Sequence, residues 1–535
     1  MQPERSFLLN TNHKVREHIL RLTKPVKARF LRILFSRFLL FALLIILQFT
    51  LLGILLYILD EYFPWLAAAL VLTAGAVVVY LFNTDMDSSA KLTWMLLISV
   101  LPVPGSLLLL YTRKNLGQRK MRRSIDRQIR DTMHLIPQSE EVTKALEAHP
   151  SGPGDLSAYL CRSGCFPVFD HTAVRFFKSG EEKFAALLEE LERAEKYIFL
   201  EYFIIEEGYM WGRILDILVR KAAEGVDVRV IYDGMCELSQ LPARYPELLA
   251  PLGIRAKVHA PLRPVLSTQY NYRDHRKILV IDGKTAFTGG VNLADEYINR
   301  KVRFGYWKDT AIMLKGDAVR SFTLMFLQMW NVGEEAPVYE PYLRQAPDCL
   351  PPSDGFVMPY AGSPLDGERT AENVFIDILY RAVDYVHIMT PYLILDNELE
   401  NALKFAAKRG VDVKIILPGI PDKKTAYALA KTHYRVLVEA GVRIFEYTPG
   451  FVHAKICVSD GQKAVVGTIN FDYRSLYHHF ECAAYLYRCS CIAGIEDDFL
   501  ETLSACREVT PARIEEEKLS YRLTGMLLKC VAPLM

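Results

Sequence analysis

The feature that most limits how this 535-residue chain can fold is an internal repeat. GVDVRVIYDG, starting at Gly225, is answered by GVDVKIILPG at Gly410, and GIRAKVHAP at Gly253 by GVRIFEYTP at Gly441. HRKILVIDG at His275 returns as HAKICVSDG at His453, and the spacing between matching segments stays between 178 and 188 residues, as small insertions would leave it. Two copies of one unit in a single chain tend to pack about a pseudo-twofold axis, which sets matching strands opposite one another.

Each unit reads as alternating helix and strand. Phe184, Leu187, Leu188 and Leu191 recur at helical spacing and predict a helix over 171–196. The dense aromatic and β-branched run from Lys196 to Glu206 predicts a buried strand. Trp211 to Glu224 returns to helical period and stops at Gly225, a C-terminal cap signal. Tyr306 to Leu314 reads as a further strand carrying an acid, Asp309. In the second unit Asp384–Ile394 is the strand and Glu398–Arg409 the helix. The expected fold class is therefore α/β, with tandem half-domains at 165–345 and 346–510.

The repeated His-x-Lys carries the chemistry. Residues two apart on a strand face one side, so His275 projects with Lys277 and His453 with Lys455, while Arg276 faces away. Asp282 and Asp460 have the opposite parity and sit in Asp-Gly turn signals, which makes them turn-formers by this reading. Asn292 and Asn470 close the two return strands and come back toward the histidines. Two imidazoles can divide nucleophilic attack and proton transfer at a phosphodiester, because histidine titrates near neutrality. Two lysines and two asparagines supply charge and donors for the phosphate oxygens, so Lys277, Asn292, Lys455 and Asn470 are the candidate phosphate ligands. Such chemistry needs no metal or other cofactor. A lone His-x-Lys would mean little; a matched pair with the same following residues is hard to reach by chance. His478-His479 follows the second motif closely and reads first as a surface position and second as a substrate contact, and His171, His259, His387 and His433 read as structural.

Hydrophobic residues make up 51% of the chain, high for a soluble protein, and the net charge is only +2, which gives no bias toward nucleic acid. The apolar excess is concentrated near the N-terminus. A basic arm (1–37, with Lys14, Arg16, Arg21, Lys24, Lys27, Arg29, Arg32 and Arg37) precedes an uncharged run at 38–59. Asp60-Glu61 separates it from a second run at 62–82, and a third at 92–112 contains Pro102, Pro104 and Gly105. Runs of this length suffice to cross a bilayer core of roughly 30 Å. Basic residues flank both ends, so both flanks prefer the cytoplasm. Either 38–59 and 62–82 cross while 92–112 re-enters, or all three cross. Residues 38–112 are thus expected to form a multi-pass anchor in the cell membrane, with the catalytic domain cytoplasmic, and 113–164 a basic linker. Leu519, Leu523 and Leu527 beside Arg522 and Lys529 predict an amphipathic helix within 511–535, lying either on the bilayer or on the domain. The ten cysteines include no zinc-site spacing and read as buried or idle thiols.

Both motifs match the His-x-Lys-x4-Asp signature of the phospholipase D superfamily, with the Gly-x-x-Asn extension. NYRDHRKILVIDGKTAFTGGVNLADEY, YWKDTAI, TPYLILDNELENALKFAAKRGVDVKIILPG and GTINFDYRS further resemble bacterial cardiolipin synthases, and the likeness runs from about residue 62 onward. The resemblance implies that two phosphatidylglycerol molecules become cardiolipin and glycerol through a phosphohistidine, at a bilayer and without nucleic acid. It implies His275 as nucleophile and His453 as general acid and then base, and it counts Asp282 and Asp460 within the catalytic signature. It also implies a carboxylate on a following strand orienting each histidine: Asp309 for His275 and Glu481 for His453. A hydrolase, a transferase using another alcohol such as serine or ethanolamine, and an inactive membrane scaffold are the rival readings.

Overall fold

In a computed structural model of the chain, residues 50, 51, 53, 54, 64–84, 86–113, 116–149, 151–261, 272–343 and 351–534 are described. They fall in two compact units, one within Gly117–Lys529 and the other within Lys24–Leu116 plus Cys530–Met535.

The larger unit contains both repeats, and each builds the same sheet. The first has the order β1 (Thr172–Phe177), β9 (Ala311–Gly316), β7 (Thr285–Gly289), β6 (Lys277–Ile281), β2 (Tyr197–Tyr202), β3 (Asp227–Asp233), β4 (Arg255–His259). The second runs β10 (Phe356–Gly362), β19 (His479–Tyr487), β17 (Lys463–Gly467), β16 (Ile456–Ser459), β11 (Tyr385–Met389), β13 (Asp412–Pro418), β14 (Arg443–Tyr447), with β20 (Cys506–Glu508) added at the edge. Strands β2-β3-β4 and β11-β13-β14 are parallel, and the other neighbours in each sheet are antiparallel. Parallel neighbours need crossover helices, which Tyr209–Ala223 and Asn397–Lys408 provide. Strands buried on both faces read as continuous apolar runs, which is why YIFLEY is buried at every position. The two sheets meet through β7, β9, β17 and β19, and one apolar cluster joins Val280, Ala286 and Ile312 of the first repeat to Val466, Ala483 and Tyr485 of the second.

Two short parallel ladders cross between the repeats. Strand β5 (Arg273–Asp274) pairs with the start of β19, and β15 (Gly450–Val452) with β8 (Tyr306–Lys308). The expected secondary structure differs at three places. Asp384–Ile394, read as one strand, is β11 and, after a break at 390–392, the short β12 (Leu393–Ile394), which pairs with β18 (Phe471–Asp472). The 171–196 segment is not one helix: Thr172–Phe177 is edge strand β1, and the helix is Gly180–Glu192, capped by Ser179. Its apolar residues at helical period all lie in the second part, so the pattern said nothing about the first. Tyr306–Leu314 is likewise two strands, broken at Asp309-Thr310 where the chain leaves the ladder with β15 and joins β7.

Helix Leu519–Lys529 packs on Lys424–Glu439 where Gly525 lies so close that a Cβ there would sit 2.5 Å from the Ala428 carbonyl. Its leucine row faces outward instead: Leu519, Leu523 and Leu527 are all more than half exposed.

The smaller unit holds helices Pro64–Phe82, Ser88–Val100 and Pro102–Arg113 around Leu81, Trp94, Ile98 and Leu109. The 92–112 run is not one helix. It breaks at Leu101-Pro102, and Gly105 lies where a Cβ would be 3.1 Å from the Ile98 Cα. The two pieces, 13 and 12 residues long, extend about 20 Å each at ~1.5 Å per residue, short of a bilayer core. Among the described residues no helix is long and apolar enough to cross a membrane. The 38–59 run lies outside the described residues except for positions 50, 51, 53 and 54, and so does the Asp60-Glu61 turn.

Candidate active site

The crossed ladders decide which groups meet. In β5–β19, Arg273 stands opposite His479 and Asp274 opposite Phe480, so the next pair in line is His275 and Glu481. In β15–β8, Phe451 faces Trp307 and Val452 faces Lys308, so the next pair is His453 and Asp309. Backbone bonds lock both registers: His275 N–H donates to the Phe480 carbonyl (2.9 Å) and His453 N–H to that of Lys308 (2.7 Å).

Each histidine is therefore held by the acid of the other repeat. His275 Nδ1 lies 2.9 and 3.0 Å from the two Glu481 oxygens, and His453 Nδ1 2.7 Å from Asp309 Oδ2. This corrects the expected assignment of Asp309 to His275 and Glu481 to His453. That assignment took a carboxylate on a following strand of the same repeat, whereas the partners are 206 and 144 residues apart and meet only through pairing between repeats.

Burial sets the charge states. It opposes the imidazolium and brings His275 down to about 3 and His453 to about 4, although the adjacent carboxylates pull the other way. Burial pushes Glu481 and Asp309 up, but their neighbours together outweigh it, His275 with His479 at Glu481 and His453 with Lys455 and the Thr310 N–H at Asp309, and both acids lie below their usual range. An ionised carboxylate accepts hydrogen bonds only, so the proton on each neutral imidazole sits on Nδ1 and the Nε2 lone pair is free.

Lys277 donates to the His275 carbonyl (2.6 Å) and Lys455 to that of His453. Burial lowers Lys277 to about 8 and Lys455 to about 7. Both lysines sense both acids, and Lys455 senses Lys277, so the two motifs share one electrostatic neighbourhood. Asn292 is engaged at both ends of its amide, accepting from Ile204 N–H (3.1 Å) and donating to the Tyr297 hydroxyl (2.7 Å). Asn470 donates to Asp472 (3.2 Å), while its buried Oδ1 has no hydrogen-bond partner among the described residues.

Asp282 and Asp460 are not at the reacting groups, which corrects their inclusion in the catalytic set and agrees with strand parity. Asp282 accepts from the backbone N–H groups of Glu195, Lys196 and Tyr197, each at 2.8 Å, and so clamps the start of β2. Asp460 does the same for Val383, Asp384 and Tyr385 before β11. Both adopt a left-handed turn conformation (φ 53° and 54°).

The linear sequence hid several neighbours. Gly290 is one: a Cβ there would stand 2.0 Å from Asp309 Oδ1, whereas the matching Thr468 uses its hydroxyl to donate to Glu481. Rings flank the histidines, Phe203 at 5.0 Å from His275 and Tyr297 at 5.2 Å from His453. Lys183, fully buried, donates to the Tyr202 hydroxyl and the Val291 carbonyl, both at 3.1 Å, and burial lowers it to about 7. His479 is buried too, contrary to its surface reading, because β19 runs through the centre of the molecule.

Two α/β repeats that bring His-x-Lys pairs to one place define the tandem phospholipase D-like class. The family described as "Cardiolipin synthase, PLD-like domain" matches residues 187–330 and 375–503. Cardiolipin synthase 2 of Bacillus anthracis is 32% identical over 458 residues, 85% of this chain and 88% of its own length. Cardiolipin synthase of Geobacillus thermodenitrificans is 32% identical over 492 residues, covering 90% and 97%. An uncharacterized protein of Streptococcus mutans is 54% identical over 458 residues, covering 86% and 99%. The crystal structure of phosphatidylserine synthase from Haemophilus influenzae Rd KW20 superposes with a TM-score of 0.52 at 16% identity, over 69% of this chain and 94% of that one, a likeness of fold. The chain belongs to the cardiolipin synthase family of phospholipase D-like proteins, and is an enzyme of the phosphatidyltransferase kind.

Proposed function

We propose that the protein is a membrane-bound cardiolipin synthase that joins two phosphatidylglycerol molecules and releases glycerol. The observation that carries this reading is the pair of neutral, carboxylate-held imidazoles, one from each repeat, with two buried lysines beside them.

In this mechanism His275 Nε2 attacks the phosphorus of the first phosphatidylglycerol. The bond from phosphorus to the glycerol headgroup oxygen breaks, and His453, protonated at Nε2, gives that oxygen a proton. The negative phosphate supplies what His453 lacks in the empty site, since a nearby anion favours the imidazolium. Lys277 and Lys455 bear the charge on the phosphate oxygens. A hydroxyl of the second phosphatidylglycerol then attacks the phosphatidyl-histidine and passes its proton to His453. The N–P bond breaks and cardiolipin leaves. Glu481 stabilises the charge that builds on His275, and Asp309 that on His453. The choice of His275 as nucleophile rests on the family resemblance.

Membrane attachment is supported by exposed apolar residues on the N-terminal helices, including Leu72, Val79, Phe82, Leu92, Leu96, Val100 and Leu107, and by the outward leucines of Leu519–Lys529. The basic flanks support a cytoplasmic catalytic domain. Purified protein supplied with phosphatidylglycerol alone should release one glycerol per four-chain lipid formed. Phosphatidic acid as sole product would replace this reading with a hydrolase, and a requirement for another alcohol with a different transferase.

A further inference from the structure

Glu481 stands beside two imidazoles. Besides His275, its Oε1 lies 3.5 Å from Nδ1 of His479, whose ring centroid is 5.3 Å from that of His275. His479 is 8% exposed, and among the described residues neither of its ring nitrogens has a hydrogen-bond partner. One ligand atom from each of His275, His479 and Glu481 lies within 4.8 Å of the other two. The pseudosymmetry shows that this arrangement is not a packing requirement. Two residues before Asp309, where the second repeat has His479, the first repeat has Trp307, and its ring packs on His453 at 5.5 Å much as His479 packs on His275. An aromatic ring satisfies the position; only His479 adds nitrogen donors.

We propose that His275, His479 and Glu481 form an inhibitory site for a late first-row dication, zinc being the best match. Two imidazoles and a carboxylate are a common zinc donor set. Zinc–ligand bonds of about 2.0–2.1 Å in a tetrahedron put ligand atoms about 3.3 Å apart. The two edges from Glu481 Oε1 measure 2.9 Å to His275 and 3.5 Å to His479, bracketing that value, and the third, between the imidazole nitrogens, is at most 4.8 Å. The ionised Glu481 supplies the negative charge, against the opposing charge of Lys277.

The consequence for turnover rests on the role proposed above for His275. Zinc on Nδ1 breaks the Nδ1–H···Glu481 bond, and the displaced proton is taken up at Nε2. The lone pair that would attack phosphorus is then used, and no net proton or electron is gained or lost. The metal holds the enzyme in its unreactive tautomer.

The test uses full-length protein in detergent titrated with buffered zinc. Wild type should bind one zinc per chain and lose at least nine-tenths of its phosphatidylglycerol turnover, with recovery on chelation. In His479→Asn the zinc midpoint should rise about 10- to 100-fold, measured against that variant's own zinc-free rate. X-ray absorption on zinc-loaded wild type, which depends on no variant folding, should show a nitrogen and oxygen shell near ~2.0–2.1 Å with imidazole scattering. A sulfur shell near ~2.3 Å, or equal zinc affinity in wild type and His479→Asn, would overturn the site. Zinc bound through His479 without inhibition would uphold the site and instead reject His275 as the nucleophile.

Discussion

The crossed pairing of acids and histidines makes a prediction that can be worked out in advance. Glu481 and His275 share contacts of 2.9 and 3.0 Å in a fully buried setting, and Asp309 and His453 one of 2.7 Å. A hydrogen bond to a charged group contributes roughly 1.5–3 kcal/mol net. Double-mutant cycles combining Glu481→Gln with His275→Ala, and Asp309→Asn with His453→Ala, should therefore give coupling energies of about that size. The mismatched cycles, Glu481→Gln with His453→Ala and Asp309→Asn with His275→Ala, should couple clearly less, since they are linked only through the shared field of Lys277 and Lys455. The readout is denaturant unfolding of detergent-solubilised protein, which is independent of activity. If the lost interaction is fully expressed in the transition state, each acid-to-amide change should also slow turnover roughly 10- to 150-fold. Strong coupling between Asp309 and His275, with none between Glu481 and His275, would refute the crossed geometry and the ladder registers behind it.

Other expectations follow from single contacts. Gly290→Ala places a Cβ 2.0 Å from Asp309 Oδ1 and 2.9 Å from the His453 carbonyl oxygen, and should cut kcat by about 100-fold through displacement of Asp309 while also lowering Tm; unchanged kcat would argue against the positioning of His453 by Asp309. Asp282→Ala removes three backbone hydrogen bonds, one buried and two partly buried, and should cost about 3 kcal/mol in unfolding, while Asp282→Asn, which tolerates the φ of 53°, should cost less. A lysine with its pKa lowered carries charge only below that pKa, so phosphate binding should weaken as pH rises through about 7 for Lys455 and about 8 for Lys277. KM for phosphatidylglycerol should rise across that interval; a flat KM between pH 6 and about 9 would contradict the role of these lysines. Leu523→Glu with Leu527→Glu should weaken vesicle binding of the detergent-free protein at least tenfold, as expected if this exposed face meets lipid.

Much of this was legible in the chain because repetition is a long-range signal written locally. The repeated GVDV segments gave matching strands, and parity separated Lys277 and Lys455 from Asp282 and Asp460. What remained hidden depended on contacts with no sequence mark. Nothing near His275 announces Glu481, because the link is a two-residue ladder between β5 and β19. The burial of His479 follows from that same strand crossing the centre of the molecule, whereas HH in isolation looks polar. Residues 171–196 misled because the helical apolar period began only after Gly180, leaving edge strand β1 without a pattern of its own. The Pro-Val-Pro-Gly segment did mark a break in 92–112, since proline starts a helix well and Gly105 allows the close approach to Ile98.

In the proposed reaction one imidazole from each repeat acts on one phosphate, His275 by attack and His453 by proton transfer. Rapid quenching of His453→Ala during incubation with labelled phosphatidylglycerol, followed by peptide mapping at alkaline pH, separates the two roles. An acid-labile phosphatidyl group should appear on His275 and be absent from His275→Ala. The same group on His453 in His275→Ala, with none on His275 in any variant, would contradict this assignment of roles.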